Sequence, residues 1–493
     1  MRVVVVALGK IGLPLAAHIA RAGHSVVGCD VDPRVCELVN AAHAPFPGEA
    51  GLEDALREVV GDGRLRAQTD TAAAVAEGVD LVIAVPPLVV DADAQPDWRV
   101  LDSVVEDVAR GLGAAAGGGG GGRAGAGADR AAHSGTGAAS ASGTVVCIET
   151  TLPVGSTRNR IAPALAAGSG LEAERDFFVA FSPERVYSGR IFADLRRYPK
   201  LVGGCSEEGE RRAVERYRAF ITERPANEAS GAPAGETGEA SGAPADAVGR
   251  PTEVWPMGSA EAAELAKLAE TTYRDLNIAF ANELARHADA IGVDVDRVID
   301  AANSQPFSHI HRPGVAVGGH CIPVYPHFFL HSAPDAQLPR IAREVNSAMP
   351  EYAVQLLADA LQDADGPAQG GSSEASDPLA GARVLILGIA YRGGVKETAF
   401  SGAFPLRDAL GARGATVLAA DPLYNDGELA TLGFEPWDGG AIDGVILQAD
   451  HEKYRALEPG ALTGVRAIVD GRNVLDAAPF AEAGVTLRRI GRP

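Results

Sequence analysis

Lysine is scarce in this sequence of 493 residues. It occurs only at Lys10, Lys200, Lys267, Lys396 and Lys453, so 39 of the 44 basic residues are arginine. The 65 acidic residues leave a formal net charge of −21, and no cluster of basic residues is present. An acidic chain without a basic patch is a poor partner for nucleic acid or for an anionic membrane. We therefore expect neither kind of partner.

Cysteine and long apolar runs are also rare. The five cysteines form no Cys-x-x-Cys pair, which is typical of a protein in a reducing compartment. No apolar run approaches the roughly 20 residues of a membrane-spanning helix. The run Val3–Val6 is too short for the core of a signal peptide. We expect a cytoplasmic protein that does not insert into a membrane.

Glycine is abundant, with 59 copies, and much of it lies in three stretches of low complexity. Residues 113–143 are almost wholly Gly, Ala and Ser, residues 226–250 contain Glu-Ala-Ser-Gly-Ala-Pro-Ala twice, and residues 364–378 form a Gly/Ser/Asp run. None of them offers enough apolar surface to offset the entropy lost on ordering. We predict three flexible insertions.

Elsewhere, short apolar runs alternate with helical patterns, and this alternation predicts an α/β fold with a parallel sheet covered on both faces. The strands predicted in the first half are Val3–Ala7, Ser25–Cys29, Leu81–Val85, Thr144–Ile148 and Phe177–Phe181. The strands predicted in a second α/β unit are Arg383–Ile389, Thr416–Ala420, Gly444–Gln448 and Ala467–Val469.

Between the two α/β units, apolar residues at helical spacing predict one long helix. Ser259 is a suitable N-cap, and Gly292 would end the helix after about Ile291. Lys267 and Thr271 are four residues apart and share a helix face. Because arginine is the usual cation of this chain, a lysine here suggests a compact ammonium that stabilises an oxyanion. A solvated surface lysine is the alternative.

The first predicted strand leads into Ala7-Leu8-Gly9-Lys10-Ile11-Gly12, a tight turn before a helix. Gly9 would let the backbone approach a pyrophosphate at the helix N-terminus, and Gly12 would allow close packing of helix on strand. Ala7 stands where the usual fingerprint has its first glycine. Asp30 ends the second strand, where an acidic residue binds ribose hydroxyls. We predict a dinucleotide site that prefers NAD to NADP; an ordinary βαβ turn is the alternative.

A second informative segment is Gly318-Gly319-His320-Cys321. Glycines let the backbone approach a substrate, and a cysteine in such a loop suggests a nucleophile rather than a core residue. Histidines are frequent in this region, but their spacing fits no standard zinc site and no acidic ligands accompany them. We therefore predict no metal. Glu149 ends the strand Thr144–Ile148, at the edge where α/β sheets bind ligands.

Seven segments, in order, carry a resemblance to a known family: Leu8-Gly9-Lys10-Ile11-Gly12-Leu13-Pro14, Val85-Pro86-Pro87 with Pro96-Asp97, Glu149-Thr150-Thr151-Leu152-Pro153-Val154-Gly155, Ser182-Pro183-Glu184-Arg185, Lys200-Leu201-Val202-Gly203-Gly204, Ala263-Glu264-Leu265-Ala266-Lys267-Leu268 and Gly318-Gly319-His320-Cys321. Through them the sequence resembles the UDP-glucose/GDP-mannose dehydrogenase family, the nucleotide-sugar 6-dehydrogenases, over nearly its whole length outside the insertions. The segment Tyr273–Leu284 is similar to the branch that oxidises UDP-N-acetyl-hexosamines, with UDP-N-acetylmannosamine first and UDP-N-acetylglucosamine second.

The resemblance implies a four-electron oxidation of the sugar C6 hydroxymethyl group to a carboxylate by two NAD. In that scheme Cys321 captures the aldehyde as a thiohemiacetal that is oxidised to a thioester and hydrolysed. Lys267 and Thr271 would stabilise the oxyanion, and Glu149 would position or activate water.

The resemblance also implies ligand sites and an architecture. The residues it implies for NAD are Gly9, Ile11, Gly12, Asp30 and Pro86, and those for the UDP-sugar are Arg392, Gly318, Gly319, His320 and Arg274. It implies an N-terminal Rossmann-like NAD domain (1–258), a long central helical region that forms a homodimer (259–350), and a C-terminal α/β domain that binds the nucleotide sugar (351–493).

The sequence departs from the family pattern at several positions. Thr271 replaces an asparagine, Tyr325 an aspartate, Ala399 an arginine, Gly402 a proline and Ala316 a glycine. A phenol with a pKa near 10 is a poor base near neutral pH. Three alternative functions therefore stay open: a UDP-glucose 6-dehydrogenase, a catalytically impaired protein that binds nucleotide sugar or NAD, and a two-electron β-hydroxyacid dehydrogenase, which would not need Cys321.

Overall fold

The computed structural model describes residues 1–118, 143–186, 189–195, 197–221, 253–365 and 377–492. The chain divides into two compact units: Met1–Ala269 with His327–Ser332, and Glu270–Pro326 with Ala333–Pro493. The domain limits expected near residues 258 and 350 stay predictions. Among the helices in these ranges, none is long and apolar enough to cross a membrane.

Strands of the first unit are β1 (Arg2–Val6), β2 (Ser25–Cys29), β3 (Leu65–Gln68), β4 (Leu81–Ala84), β5 (Val89–Val90), β6 (Pro96–Asp97), β7 (Thr144–Ile148), β8 (Phe177–Phe181), β9 (Lys200–Gly204) and β10 (Val254–Pro256). Except for the separate β5–β6 pair, they form a sheet of order β10-β9-β8-β7-β4-β1-β2-β3. The run β3-β2-β1-β4-β7-β8 follows the Rossmann order 3-2-1-4-5-6, which confirms the predicted fold.

The five predicted strands pair in parallel as expected, but β9, which was not among them, runs the other way. β9 runs antiparallel to β8, with Ala180 opposite Gly204 and Phe181 opposite Gly203. The local pattern of a buried strand does not record its direction, because direction depends on the path of the connection from the preceding strand. Antiparallel strands at the edge of an otherwise parallel sheet are common in doubly wound folds.

Helices of the first unit are α1 (Gly12–Arg21), α2 (Pro33–Asn40), α3 (Leu52–Gly61), α4 (Thr71–Ala76), α5 (Arg99–Gly118), α6 (Ala162–Ser169), α7 (Ile191–Asp194) and α8 (Glu207–Arg218). A π-helical turn, Thr157–Ile161, leads into α6. The apolar faces of α1 and α3 pack with side chains of β1, β2 and β4 in one core, which fixes the carboxyl edge of the sheet.

The predicted insertions lie mostly outside the described residues. Where the structure describes the start of an insertion, that start is helical and not a loop as predicted. The helix α5 continues to Gly118, beyond the expected loop start at residue 113. Alanine favours this helix, and a Cβ atom on Gly113 would lie 2.8 Å from the carbonyl oxygen of Ser169. The glycine therefore allows close packing. The third stretch likewise begins inside a helix that ends at Asp365.

The long helix α9 (Ala260–Ile291) begins in the first unit and continues into the second. As predicted, the hydroxyl of Ser259 caps it by accepting the amide N–H of Ala262 at 3.2 Å. Gly292 ends it with a φ of 70°, which favours glycine. Lys267 and Thr271 therefore lie on the same helix, four residues apart.

Elements of the second unit follow α9. Its further helices are α10 (Val295–Asn303), α11 (Tyr325–Ser332, shared with the first unit), α12 (Leu338–Ser347), α13 (Met349–Asp365), α14 (Ala403–Ala412), α15 (Asp426–Thr431) and α16 (Ala477–Glu482), and its strands are β11 (Arg383–Leu387), β12 (Thr416–Ala420), β13 (Glu435–Pro436), β14 (Gly444–Leu447), β15 (Ala467–Asp470) and β16 (Thr486–Arg489). The strands form a parallel sheet of order β13-β12-β11-β14-β15-β16. The order reverses between β11 and β14, the point at which such sheets bind ligands.

Candidate active site

The predicted dinucleotide turn joins β1 to α1. Ala7 has a φ of 73°, so it adopts the left-handed conformation of the missing first glycine despite its Cβ atom. A Cβ atom on Gly12 would lie 1.9 Å from the carbonyl oxygen of Ala7, so only glycine fits at this position. A Cβ atom on Gly9 would have no neighbour within 4 Å. The half-buried Ile11 precedes the helix. The turn leaves open space over Gly9 at a helix N-terminus, as a pyrophosphate requires.

Asp30 and Pro86 lie at the same sheet edge. The Asp30 carboxylate accepts the amide N–H of Leu8 at 2.8 Å and that of Asp32 at 3.0 Å. The carbonyl oxygen of Pro86, after β4, accepts the hydroxyl of Thr150, after β7, at 2.5 Å. Because the strand order reverses between β1 and β4, these residues border the crevice where Rossmann folds bind dinucleotides.

Glu149 follows β7 but is fully buried. Its Oε1 accepts the hydroxyl of Tyr217 at 2.5 Å, and its Oε2 accepts Nζ of Lys200 at 2.9 Å. The same Nζ donates to Oε2 of Glu184 at 2.8 Å, and the Glu184 side chain is 10% exposed. Two carboxylates thus share one buried ammonium. Burial raises the pKa of Glu149 to about 7, although Lys200 opposes the shift.

Glu149, Lys200, Glu184 and Tyr217 form one cluster, of which sequence reasoning named Glu149 as a site residue but missed the three partners. Lys200 is the first residue of β9, and the antiparallel direction of β9 brings it to the carboxyl edge of β7 and β8. Lysine is rare in this chain, so its presence at the start of an apolar strand could have indicated that Lys200 is a site residue. Glu184 also lies in a segment quoted for the resemblance, but no local pattern predicts its pairing with Glu149.

Lys267 lies on α9 and is 7% exposed, so it is not a solvated surface lysine. One turn earlier, the buried Glu264 accepts the amide N–H groups of Gly155 at 2.6 Å and Thr157 at 2.9 Å, and the Thr157 hydroxyl at 2.6 Å. These bonds fix α9 to the loop after β7. Thr271, one turn after Lys267, is 2% exposed and belongs to the second unit.

Cys321 is half-buried, whereas the other four cysteines are buried. Its carbonyl oxygen accepts the amide N–H groups of Val324 at 3.2 Å and Tyr325 at 2.9 Å, which turns the loop into α11. Gly319 has a φ of 93°, and its N–H donates to the carbonyl oxygen of Ala399 at 2.8 Å. Nε2 of His320, beside the cysteine, lies 3.4 Å from Oε2 of Glu397.

Tyr391 joins the predicted substrate residues of the second unit. A Cβ atom on Gly318 would lie 2.6 Å from the Tyr391 Cβ atom, and one on Gly319 would lie 3.3 Å from the ring. Nε of Arg392 donates to the Tyr391 hydroxyl at 3.2 Å, and the guanidinium lies over the ring. Both glycines are therefore needed for close approach, and the structure brings Gly318, Gly319 and Arg392 together.

The loop that carries Arg392 is held by polar groups at the ends of β12 and β14. Oδ2 of Asp421 accepts the amide N–H groups of Ile389 at 2.7 Å and Ala390 at 3.1 Å. Oδ1 of Asp450 accepts that of Gly393 at 2.9 Å, and Nδ1 of His451 lies 3.3 Å from the amide nitrogen of Gly394. Side chains therefore place Arg392 at the reversal point of the second sheet.

Arg274 is half-buried on α9, three residues after Thr271. Within the described ranges no group of three or more His, Cys, Asp or Glu residues is arranged to hold a metal ion. The first unit thus offers ammonium and carboxylate groups, and the second unit offers a thiol and guanidinium groups. Each of these groups is suited to anionic substrates or to acyl chemistry.

Family models match most of the chain. The model described as "UDP-glucose/GDP-mannose dehydrogenase family, NAD binding domain" matches residues 1–116 and 130–221. The central domain of the same family matches residues 261–348, and its UDP binding domain matches residues 385–477.

Individual relatives extend over the whole chain. A UDP-N-acetyl-D-mannosamine dehydrogenase of Pyrococcus horikoshii is 32% identical, with 100% of this chain and 99% of the relative covered. An NDP-N-acetyl-D-galactosaminuronic acid dehydrogenase of Ralstonia solanacearum is 28% identical, with 97% of each covered. A solved structure of UDP-D-ManNAc dehydrogenase from P. horikoshii has a TM-score of 0.77 at 29% identity, covering 100% of this chain and 99% of that one.

Proposed function

The chain belongs to the UDP-glucose/GDP-mannose dehydrogenase family, and on that premise we propose that it oxidises the C6 hydroxymethyl group of a UDP-N-acetyl-hexosamine to a carboxylate. It is an NAD-dependent oxidoreductase that acts on a nucleotide sugar. The names of the relatives support an N-acetylated hexosamine as substrate. We expect UDP-N-acetylmannosamine first and UDP-N-acetylglucosamine second.

The observation that carries the proposal is the partial exposure of Cys321 in a loop packed against Tyr391. It is the cysteine that a reagent or substrate can reach, since the other four are buried. A two-electron dehydrogenase needs no thiol, whereas in oxidation to a carboxylate a thiol can form an adduct with the aldehyde that is oxidised again and hydrolysed.

The residues present fit NAD. The space over Gly9 and the close approach at Gly12 suit a pyrophosphate, and Asp30 and Pro86 border the crevice. When bound, NAD supplies the hydride acceptor. Ile11 at the start of α1 completes the proposed set, in which Asp30 holds the ribose and disfavours a 2′-phosphate.

Cys321 supplies the covalent step. Its sulfur adds to the aldehyde carbon and its proton goes to the aldehyde oxygen, which gives a thiohemiacetal. Loss of a hydride and a proton from this adduct leaves a thioester. Water then attacks the thioester carbon, the C–S bond breaks, and the carboxylate and the free thiol are released.

Lys267 and Thr271 stabilise the negative charge that develops on oxygen in these steps. The buried ammonium of Lys267 is a strong partner for an oxyanion because little water screens it. The Thr271 hydroxyl, one helical turn away, can donate a hydrogen bond where the family has an asparagine.

In this proposal Glu149 does not contact substrate; it holds the Lys200 ammonium in place, and that ammonium binds Glu184. Both oxygens of Glu149 are engaged, and its side chain has no exposed surface. Glu184 shares the same ammonium and accepts the amide N–H of Arg185 with Oε1 at 2.7 Å, so its oxygens are engaged as well. Its side chain is 10% exposed, however, and on that ground we assign to it the activation of water that the sequence suggested for Glu149. Tyr217 and Lys200 hold the pair in place.

For substrate binding, we assign the UDP-sugar to the reversal point of the second sheet. Arg392 offers its guanidinium to the diphosphate, and Gly318, Gly319 and His320 let the sugar approach Cys321. Arg274, on α9, is the further cation of the proposed set. The chain's net charge repels both anionic ligands, so these local cations must hold them.

Two finer features complete the proposal. We expect a homodimer formed through α9, whose Tyr273 and Phe280 are half-exposed, seven residues apart and on one helix face. We also expect a cytoplasmic location, because all five cysteines are free.

A panel of UDP-sugars with NAD tests the function. The expected result is about two NADH per UDP-N-acetyl-hexosamine consumed, with uronic acid as the product; one NADH with an aldehyde product would contradict it. Cys321→Ser is expected to abolish acid formation, whereas a two-electron β-hydroxyacid dehydrogenase would be almost unaffected. An impaired binding protein would instead gain thermal stability with NAD or UDP-sugar and make no NADH.

A further inference from the structure

A chain of buried hydrogen bonds connects α9 to the cysteine loop within the second unit. Oδ1 of Asn282 accepts the amide N–H of Gly314 at 3.0 Å, and Nδ2 of Asn282 donates to Oδ1 of Asn346 at 2.9 Å. Nδ2 of Asn346 donates in turn to Oδ1 of Asp275 at 2.7 Å. Each of these three side chains belongs to a residue that is at most 2% exposed.

Arg343 connects Asp275 to Pro323, at the other end of the cysteine loop. Nε of Arg343 donates to Oδ2 of Asp275 at 2.8 Å and its Nη2 to Oδ1 at 2.5 Å, a bidentate pair. Nη1 of Arg343 lies 3.5 Å from the carbonyl oxygen of Pro323. Gly314 and Pro323 bound the segment that contains Cys321.

The direction of every bond in this chain is fixed. The N–H of Gly314 can only donate, so the amide oxygen of Asn282 must face it and the amide nitrogen must face Asn346. The nitrogen of Asn346 must then face Asp275, whose carboxylate accepts from both Asn346 and Arg343. Such an aligned, buried chain strengthens each of its members.

We propose that Asp275, Asn282, Arg343 and Asn346 form a positioning clamp that holds residues 314–323 in the geometry that Cys321 needs for the proposed covalent steps. The proposal rests on the proposed function for its catalytic consequence, but the clamp itself is a property of the free protein. None of the four side chains needs to touch substrate.

The sharpest test is Asn282→Asp, which changes one NH₂ group to an oxygen. The new carboxylate can still accept the Gly314 N–H, but its second oxygen faces Oδ1 of Asn346. If Asn346 turns its nitrogen toward residue 282, its oxygen faces Asp275. A protonated carboxyl at position 282 would donate as the NH₂ group did, so the variant is measured at about pH 9, where ionisation is favoured. With residue 282 and Asp275 both ionised, no orientation satisfies the chain, and the isosteric change disrupts it throughout.

Asn303→Asp is the matched control. Like Asn282, Asn303 binds the backbone of a loop through its side-chain amide. Its Nδ2 donates to the carbonyl oxygen of Ile310, and its Oδ1 accepts the N–H of the same residue. It lies at the end of α10 and takes no part in the clamp. The same chemical change is made there without touching residues 314–323.

Two measurements on the free protein test whether the clamp holds residues 314–323 in place. Hydrogen exchange in peptides covering 314–323 should accelerate at least about tenfold in Asn282→Asp and stay near wild type in Asn303→Asp. Alkylation of Cys321 by iodoacetamide, mapped by mass spectrometry, should become faster because a loosened loop is more accessible. The four buried cysteines should stay unreactive, which separates loop release from general unfolding.

Activity gives the third measurement. In Asn282→Asp, kcat should fall about 10- to 100-fold, as expected for a misplaced nucleophile, while KM for the nucleotide sugar changes less than about threefold. A role in stability alone would lower the amount of active enzyme but would leave hydrogen exchange in the loop of the folded fraction unchanged.

The outcomes separate the clamp from the proposed function. If wild type oxidises no nucleotide sugar, the proposed function fails, yet exchange and alkylation still decide the clamp. Unchanged loop exchange in a folded Asn282→Asp protein overturns it. If that variant does not fold, Arg343→Lys, which keeps the charge but loses the bidentate pairing and the contact with Pro323, is measured in the same way. Unchanged loop exchange in that variant also overturns the clamp.

Discussion

Ala316 and Gly402 face each other with no room for a second methyl group: a Cβ atom on Gly402 would lie 2.6 Å from the Cβ atom of Ala316. The two residues replace a glycine and a proline of the family pattern. Gly402 has a φ of −61°, which alanine and proline also adopt. The glycine is therefore required by the neighbouring methyl group and not by its own backbone.

This contact predicts that Gly402→Ala destabilises the protein and that Ala316→Gly suppresses the effect. Overpacking of a buried site costs about 1–3 kcal/mol, and removal of the opposing methyl restores the space. Thermal unfolding of the two single variants and the double variant forms the cycle. Additive shifts in Tm would contradict the steric account.

Ala7→Gly is expected to stabilise the protein by about 0.5–1 kcal/mol. The left-handed conformation costs a non-glycine residue about 1–2 kcal/mol, which exceeds the extra entropy that glycine gives the unfolded chain. Ala20→Gly, at a buried position inside the helix α1, should instead destabilise by about 1 kcal/mol. Chemical denaturation measures both changes, and a loss of stability in Ala7→Gly would refute the prediction.

The pH dependence of stability should reveal the buried state of Glu149. Its pKa is raised from 4.5 to about 7 in the folded protein, so between these values the folded state binds more protons than the unfolded state. Stability in this window therefore falls as pH rises. Glu149→Gln removes this dependence, and its Tm relative to wild type should increase from pH 5 to pH 7.5.

The matched control for that series is Glu215→Gln, because the Glu215 side chain is 67% exposed. Its Tm difference from wild type should stay constant over the same pH range. A difference for Glu149→Gln that also stays constant would mean that this carboxyl titrates alike in the folded and unfolded states.

The proposed dimer predicts that Phe280→Arg shifts the protein toward monomer in sedimentation velocity. Phe280 is 50% and Tyr273 54% exposed on one face of α9, and a charge there opposes burial against a second copy. Leu423→Arg, at another exposed apolar residue, is the control and should sediment as wild type. Unchanged sedimentation of Phe280→Arg would exclude this face as the interface.

The sequence was sufficient to predict the bounds of several strands and both ends of the long helix, because these depend on neighbouring residues. The strands β2, β7, β8 and β12 have the predicted bounds, because each is a short run of buried apolar residues between polar ends. The long helix begins after Ser259 and stops at Gly292 because both of its caps depend on residues next to the helix.

Features that depend on distant pairing could not be predicted. The ammonium of Lys200 binds carboxylates 51 and 16 residues away, and no local pattern records either pair. The antiparallel direction of β9, which brings Lys200 to both carboxylates, depends on the connection after β8. The same holds for the clamp, since Asp275 and Arg343 are 68 residues apart.

The burial of Lys200 and Lys267 has a practical consequence for chemical labelling. Only Lys10, Lys396 and Lys453 among the five lysines are exposed, so amine-reactive dyes or coupling surfaces should attach at these three side chains and the N-terminus. Lys10 lies in the turn between β1 and α1. An occupied cofactor crevice should shield it, and the yield of label at this one position becomes a footprint of NAD occupancy.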